Sequence, residues 1–318
     1  MNKITENEIE LFAIELLARL GYNYIYAPEL ERNHEEVLLK DRLLHAMEKI
    51  NPSLPQSAIE DAIKQIERIK SSELLSDNEA FHKLLVEGVK VDLQRDGITR
   101  GEIVHLVDFD DVSNNDFVAA NQFTIIENGH NKRPDIILFV NGLPLVVIEL
   151  KNAVDENATI QSAHNQIGTY KSLIPSLFTY NAFCVINDGI EAKAGTISAG
   201  LSRYMAWKTS DGESEASRLI PQIETLINGM LSPLVLLDLV RSFIVFEKSK
   251  KEDRNGIVTI ETVKKLAAYH QYYAVNKAVQ RTITASSESG DKKGGVVWHR
   301  DCEITSFPFS SNNLSKTL

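Results

Sequence analysis

Two apolar segments on either side of Asn141-Gly142 constrain this chain most, because they carry charges where buried strands should have none. The segment 144–148 reads Pro-Leu-Val-Val-Ile and leads directly to Glu149 and Lys151, and Asp135 opens the segment before the turn. An unpaired charge in a protein interior is expensive, so these charges need partners. A divalent cation prefers carboxylate oxygens, and a lysine beside it can stabilise an anion that develops at a reacting centre.

The length of the loop decides which of these side chains share a face. Asn-Gly between apolar runs predicts a β-hairpin, and side chains alternate along each strand. A two-residue loop puts Asp135 and Glu149 on opposite faces of the sheet. A three-residue loop that includes Val140, with Gly142 in the left-handed conformation, brings Asp135, Glu149 and Lys151 to one face. We therefore expect an odd loop or a β-bulge, so that the two carboxylates can hold one metal ion.

Charge and cysteine content limit the class of protein. The net charge of −10 argues against broad, autonomous nucleic-acid binding, so partners or local basic patches have to help hold such a substrate. The only two cysteines, Cys184 and Cys302, indicate a reducing compartment without a disulfide framework. The sequence begins without an apolar signal region and has no apolar run of membrane-spanning length, so we expect a cytoplasmic protein.

The hydrophobic pattern predicts an α/β fold in which a mixed sheet is flanked by helices. Helices are predicted at 5–20, where Thr5 and Glu8 form a capping box, and at 34–50, 55–70, 77–87, 158–173 and 262–283. Strands are predicted at 22–26, 89–94, 102–109, 118–126, 134–140, 144–151, 179–187, 190–196, 203–208 and 296–298. We expect a first domain over 1–217, a mostly helical segment over 218–299 that begins a second domain, and an atypical tail over 300–318.

The spacing of Asp135, Glu149 and Lys151 matches the core of PD-(D/E)xK nucleases. Because this pattern is short, the three residues can also be interpreted as solvated charges at the ends of an edge hairpin. Their position around a buried hairpin favours the interpretation as a nuclease core. Gln166 and Tyr170 lie four residues apart on the next predicted helix and share a face, where they can bind a phosphate oxygen or orient a catalytic group. The alternative interpretation is that both residues belong to an ordinary helix surface.

Glu10, on the first predicted helix, is a further candidate. Nucleases of this core often supply another acid from such a helix, so Glu10 is a possible third metal ligand; the alternative is a solvated helix charge. His130 and His164 have no partners at metal-ligand spacing. The sequence contains no Gly-x-Ser-x-Gly elbow, no Cys-x-x-Cys pair and no complete phosphate loop.

Short segments in a specific order identify a family. To about His299, the chain resembles the N-terminal portion of the motor-nuclease (R, or HsdR-type) subunit of type I restriction endonucleases. The segments that carry this resemblance are Leu20-Gly-Tyr-Asn-Tyr, Val37-Leu-Leu-Lys-Asp-Arg-Leu43, Asn51-Pro-Ser-Leu-Pro, Val107-Asp-Phe-Asp110, Asn115-Asp-Phe117, Asn121-Gln-Phe123, Arg133-Pro-Asp135, Asn141-Gly-Leu-Pro144, Glu149-Leu-Lys-Asn152 and Tyr269-His-Gln-Tyr-Tyr273.

The resemblance implies a PD-(D/E)xK nuclease domain followed by an ATP-driven DNA-translocating motor. It also implies Mg²⁺ and ATP as cofactors, double-stranded DNA as substrate, and modification (M) and specificity (S) subunits as partners. The family's functional residues fall on Asp135, Glu149 and Lys151 as the catalytic triad, on Gln166 and Tyr170 as the Gln-x-x-x-Tyr element, and on Gln271 as the adenine contact.

The sequence departs from the family after the strand predicted to end at His299. The family continues with a phosphate loop resembling His-Thr-Gln-Gly-Ser-Gly-Lys-Ser, whereas this chain reads Arg300-Asp-Cys-Glu-Ile-Thr and has no Gly-Lys-Ser/Thr. We therefore expect a truncated or frameshifted motor, poor order over 300–318 and no ATP binding by this chain. The alternative function is a non-catalytic docking or DNA-binding module of the restriction complex.

Overall fold

The computed structural model describes residues 5–71, 73–95, 98–151, 159–252 and 258–293. Its α-helices are α1 (Glu6–Arg19), α2 (Lys40–Ile50), α3 (Gln56–Glu67), α4 (Leu74–Glu87), α5 (Ile160–Leu173), α6 (Pro175–Thr179), α7 (Gln222–Met230), α8 (Pro233–Ser242) and α9 (Tyr269–Ser286). Its strands are β1 (Asn23–Tyr26), β2 (Val89–Arg95), β3 (Ile98–Val104), β4 (Phe117–Asn121), β5 (Ile125–Glu127), β6 (His130–Lys132), β7 (Ile136–Val140), β8 (Leu143–Leu150), β9 (Phe183–Asn187), β10 (Ala192–Gly195), β11 (Ile244–Glu252) and β12 (Val258–Leu266).

A six-stranded mixed sheet forms the centre of the fold, in the order β1-β4-β7-β8-β9-β10. β1 runs parallel to β4 and β8 parallel to β9, whereas the other neighbours are antiparallel. Every residue of β4, β7, β8 and β9 is buried, as continuous Val, Ile and Leu runs predict for central strands. α1 and α5 both pack against β8. The predicted mixed sheet flanked by helices is therefore confirmed.

The helix α1 begins where the sequence predicted. The Thr5 hydroxyl accepts a hydrogen bond from the Glu8 amide at 3.3 Å, and the Thr5 amide donates to Glu8 Oε2 at 2.6 Å. This capping box satisfies two amides that the helix itself cannot pair. It therefore fixes the position of the first turn, which carries Glu6.

The C-terminal part differs from the prediction. A two-stranded antiparallel sheet, β11 with β12, occupies 244–252 and 258–266, where no strand was predicted and where the predicted helix over 262–283 was to begin. The helix begins only at Tyr269. The sequence 258–263 reads Val-Thr-Ile-Glu-Thr-Val, whose β-branched residues favour a strand, so the mostly helical prediction was wrong here. The strand predicted at 203–208 is also absent from the described chain; a 3₁₀ turn and a single bridge from Met205 to Ala194 take its place.

The chain divides into two compact units, Met1–Tyr272 and Tyr273–Leu318. The predicted boundary at 217/218 falls inside the first unit. The second unit is described only to residue 293, and there it consists of the remainder of α9 and a turn in which the Lys292 amide donates to the Ala285 carbonyl at 3.1 Å. The predicted strand at 296–298 and the tail over 300–318 lie outside the described residues.

No single helix in the described part of the chain has the length and apolar character needed to cross a membrane. α7 and α8 pass that test only when they are taken together, and the two helices are bent by 71° at the break between them.

Candidate active site

The central hairpin combines a two-residue turn with a bulge. Asn141 and Gly142 have φ values of 52° and 78°, as a tight hairpin turn requires. The register then shifts between Leu138 and Phe139, which leaves Leu145 of β8 without a partner on β7. Leu145 is nevertheless fixed, because its carbonyl accepts a hydrogen bond from the Ala182 amide at 2.7 Å. The predicted bulge is therefore confirmed, although the loop itself contains two residues.

The bulge places Asp135 and Glu149 on the same face of the sheet, whereas a two-residue loop alone would place them on opposite faces. Beyond it, Ile136 pairs with Ile148, so the register continues from Asp135 to Glu149. The Asp135 carboxylate accepts a hydrogen bond from the Leu150 amide at 2.7 Å, which ties the start of one strand to the end of the other. Asp135 is 9% exposed and Glu149 only 1% exposed. Two acids are thus brought together in the protein interior.

Lys151 partners only one oxygen of Glu149. Its Nζ donates to Glu149 Oε1 at 2.5 Å and to the Leu150 carbonyl at 3.1 Å. The other oxygen, Glu149 Oε2, is buried and makes no hydrogen bond of ordinary distance and angle to a described residue, although the nearby Tyr170 hydroxyl also lowers the pKa of this carboxylate. A buried acceptor without a donor costs about 1–3 kcal/mol, and more when it is charged. The carboxylate therefore has an unused coordination position inside the protein.

The electrostatics of the site favour a proton or a cation. Burial raises the pKa of Asp135, and the neighbouring Glu149 charge raises it further. Burial also raises the pKa of Glu149, although attraction to Lys151 opposes this. Burial alone would lower the pKa of Lys151, but the carboxylates of Glu149, Asp135 and Glu6 together outweigh it, so the pKa of Lys151 is raised. Lys151 is therefore a cation at neutral pH, and when both acids are ionised they carry more negative charge than one lysine balances.

α5 places Tyr170 beside the acids. The Tyr170 hydroxyl donates to the Arg133 carbonyl at 3.4 Å. Burial raises the pKa of Tyr170, and the Glu149 charge adds to the effect, while interaction with the Gln166 side chain opposes it. Tyr170 therefore stays protonated and remains a donor, and Gln166 acts on Tyr170 one turn away on the same helix. The structure therefore brings Tyr170 to the side of the hairpin that carries the acids, and it places Gln166 next to Tyr170.

Glu10 is not a solvated charge, and no cluster of three acids includes it among the residues that the structure describes. It is buried on α1, where Oε1 accepts a hydrogen bond from the Asn121 side-chain amide at 2.6 Å and Oε2 accepts one from the Gln122 side-chain amide at 2.7 Å. Gln122, with a φ of 56°, also donates its backbone N–H to the Asp135 carbonyl at 3.0 Å. The predicted role of Glu10 as a metal ligand stays a prediction. In this structure both of its carboxylate oxygens accept hydrogen bonds from side-chain amides.

Sequence reasoning missed Glu6. Its carboxylate lies 3.3 Å from Lys151 Nζ, so Lys151 is shared between two acids from different elements. Glu6 precedes Glu10 by four residues and therefore lies on the same side of α1. That spacing was the available signal. It could not show that α1 packs its first turn against the end of β8.

The residues of the site fit a magnesium ion. Within the described ranges, no three His, Cys, Asp or Glu side chains converge as a metal-binding group, so the protein offers the carboxylates of Asp135 and Glu149. Mg²⁺ is commonly held by one or two carboxylates, with water and substrate phosphate completing its shell. Oε2 of Glu149 suits such an ion, because coordination would satisfy a buried acceptor to which no described residue makes a hydrogen bond of ordinary distance and angle.

A second acid-x-lysine sequence in the same chain shows what distinguishes the site. Glu191 and Lys193 form an ion pair at 2.7 Å, but their side chains are 42% and 25% exposed. The Glu149 side chain of the corresponding pair is 2% exposed. The sequence pattern alone does not separate these pairs, whereas burial against a second carboxylate does.

Gln271 has a local role in the described fold. Its side-chain oxygen accepts a hydrogen bond from the Ala268 amide at 3.0 Å, just before α9 begins. Helix N-termini need such acceptors, because their first amides lack intrahelical partners. The predicted adenine contact of Gln271 stays a prediction.

The fold and site together define a mixed-sheet α/β protein with a buried carboxylate–lysine centre at the end of its central hairpin. The family model for the N terminus of the type I restriction enzyme R protein matches residues 3–203. The chain therefore belongs to this family, as the resemblance predicted.

Relatives of known type extend the match beyond that region. The chain is 42% identical over 307 residues to the type I restriction enzyme HindI endonuclease subunit of Haemophilus influenzae, which covers 93% of this chain and 28% of the relative. It is 30% identical over 305 residues to the putative type I restriction enzyme MjaIXP endonuclease subunit of Methanocaldococcus jannaschii, covering 92% and 29%. The chain thus spans less than a third of the length of these curated relatives.

Proposed function

We propose that this chain carries the Mg²⁺-dependent DNA-cleaving site of a type I restriction enzyme R subunit, built on a PD-(D/E)xK core. The observation that carries the proposal is the buried Glu149 carboxylate, with one oxygen on Lys151, the other without a hydrogen bond of ordinary distance and angle to a described residue, and Asp135 beside it. Such an arrangement destabilises the fold unless it serves a ligand. The relatives named as endonuclease subunits support the same conclusion.

Hydrolysis of a phosphodiester joins a water oxygen to phosphorus and breaks the bond from phosphorus to the leaving sugar oxygen. Water loses a proton and the leaving oxygen gains one. Asp135 and Glu149 would hold Mg²⁺, which when bound supplies a Lewis acid and lowers the pKa of a bound water. Lys151, protonated at neutral pH, would stabilise the negative charge that develops on the phosphate oxygens.

The remaining residues position this group. The Leu150 amide holds the carboxylate of Asp135 at the end of β8. Tyr170 holds the Arg133 carbonyl, two residues before Asp135, and Gln166 orients Tyr170. The raised pKa of Lys151 favours a charge-stabilising role over proton abstraction, because a base has to be neutral before it accepts a proton.

The wider reaction is part of the same proposal. The family resemblance implies cleavage of double-stranded DNA within a complex that also contains M and S subunits, after translocation driven by ATP. The net charge of −10 agrees with dependence on such partners for holding DNA. ATP would act in the motor of a full-length family member, and Gln271 would contact its adenine there.

The test is nicking of supercoiled plasmid by the purified chain at high protein concentration, with Mg²⁺ or with EDTA. Lys151→Ala should reduce the rate by about a hundredfold to a thousandfold, which is the usual effect of losing one oriented charge stabiliser. Lys193→Ala is the matched control, because it removes a lysine from the exposed acid-x-lysine pair. Metal-dependent nicking that survives in Lys151→Ala would contradict the assignment. If neither Mg²⁺ binding by calorimetry nor nicking is detected, the non-catalytic docking module is the better description.

A further inference from the structure

A short hairpin delivers two basic residues directly to the catalytic strand. β5 and β6 are joined by Asn128 and Gly129, whose φ values of 49° and 78° make a tight turn. β6 ends at Lys132, and the chain continues through Arg133 and Pro134 into Asp135. We call the segment 125–133 the β5–β6 hairpin.

The base of this hairpin is anchored on several sides. The Glu127 carboxylate accepts hydrogen bonds from the amide and the hydroxyl of Ser176, at 3.1 and 2.7 Å. The Ile126 amide donates to the His34 carbonyl at 2.9 Å, and Tyr170 donates to the Arg133 carbonyl. Its position is therefore set by the same tyrosine that lies beside Glu149, while the turn itself remains exposed.

The cations of the hairpin have no acidic partner within the described chain. Arg133 is exposed and Lys132 half-buried, and neither forms an ion pair or a side-chain hydrogen bond with a described residue. Several other basic residues of the same fold are neutralised, for example Arg42 by Asp116 at 2.7 Å. In a chain with a net charge of −10, two consecutive cations without described acidic partners form a local positive surface next to the active site.

We propose that Arg133 and Lys132 bind the phosphodiester backbone of the DNA strand beside the bond to be cut. This proposal rests on the function proposed above. Arg133 precedes Asp135 by two residues, about 7 Å of extended chain. Successive phosphates of one strand advance about 3.4 Å along the duplex axis, so Arg133 would reach a phosphate within roughly two nucleotides of the cleaved one.

The residue types fit this ligand. The guanidinium of arginine can donate two parallel hydrogen bonds to a phosphate, and lysine adds a point charge. Such contacts carry no sequence information, because every phosphate is alike. The hairpin would therefore position DNA on the site without selecting its sequence. It would also be the local basic patch that an acidic chain needs in order to hold nucleic acid.

The test measures binding of a short DNA duplex by fluorescence anisotropy between about 50 and 200 mM salt, for the full chain with Lys132→Gln and Arg133→Gln combined. Binding should weaken severalfold for any sequence, and the slope of log K against log salt should fall by about 2, roughly one for each phosphate contact. Arg218→Gln, an exposed arginine in the loop before α7, is the matched control and should leave the slope unchanged.

The outcomes separate this proposal from the function on which it rests. Plasmid nicking by the double variant should recover at saturating DNA, because the two cations act on binding. An unchanged affinity and salt slope, or a wild-type chain that does not bind the duplex at low salt, would overturn the hairpin proposal. Lys151→Ala tests only the proposed nuclease function. If Lys151→Ala nicked plasmid normally, that function would fail, but weaker and less salt-dependent DNA binding by the Lys132/Arg133 variant would still support the hairpin contact.

Discussion

Replacing Asp135 with asparagine should stabilise the metal-free protein at neutral and alkaline pH. Burial, and then the Glu149 charge, raise the pKa of Asp135 from 3.8 to about 8. An acid with a raised pKa binds its proton more tightly in the folded chain than in the unfolded chain. Folding stability is therefore full at low pH and falls as pH rises from about 4 towards 8. Asparagine retains an oxygen for the Leu150 amide but cannot ionise.

The size of the effect follows from the same change. At about 1.36 kcal/mol per pH unit, moving the pKa from 3.8 to about 8 corresponds to at most roughly 6 kcal/mol. The raised pKa already includes the opposing attraction of Lys151, so we expect the wild type to lose about 3–4 kcal/mol of folding stability between about pH 5 and pH 8. Asp135→Asn should remove most of this slope.

The assay is urea unfolding of the wild type and of Asp135→Asn in EDTA across this pH range. Glu191→Gln, in the exposed acid-x-lysine pair, is the control and should change stability by less than about 1 kcal/mol. Mg²⁺ at about a hundred times its Kd should then stabilise the wild type at pH 8 by about 2.7 kcal/mol, and the variant much less. Equal pH slopes in wild type and Asp135→Asn would refute the account of the buried acid pair.

Two further predictions concern the surroundings of the site. Glu6→Gln should raise the Mg²⁺ concentration needed for half-maximal nicking severalfold, because Lys151 would then pair only with Glu149 and compete with the metal; an unchanged Mg²⁺ titration would remove Glu6 from the site. Gly142→Ala should destabilise the fold by about 1–3 kcal/mol in urea unfolding, because a Cβ there lies 2.5 Å from the Leu39 carbonyl oxygen and the residue has a φ of 78°; wild-type stability would contradict the turn.

The central hairpin was predictable because its signals are local. Asn-Gly marks the turn, and because side chains alternate along a strand, the loop length decides which side chains share a face of the sheet. The requirement that Asp135 and Glu149 share a face led to the bulge, and the capping box at Thr5 located the start of α1. In each case the decisive interaction lies within a few residues or within one pair of adjacent strands.

Contacts between distant segments were not predictable in this way. Glu6 and Lys151 meet although they are 145 residues apart, and no periodicity encodes that distance. The sequence pattern predicts a helix at Lys264, yet this residue lies in β12 with its Nζ fully buried between the Asn78 side chain at 2.8 Å and the Asn181 carbonyl at 2.7 Å. A lysine in a sequence usually indicates an exposed position, and only the assembled fold supplies the two oxygens that allow Lys264 to be buried.

The bulge at Leu145 makes the length of the hairpin as important as its residues. Thirteen residues lie between Asp135 and Glu149. Removing one of them from the paired region would rotate Glu149 to the opposite side of the sheet while leaving every side chain of the site in the sequence. Removing two would return it. Among relatives with this hairpin, insertions and deletions between the two acids should therefore occur in even numbers, and an odd change should mark a chain that has lost its nuclease although its motif still reads as intact.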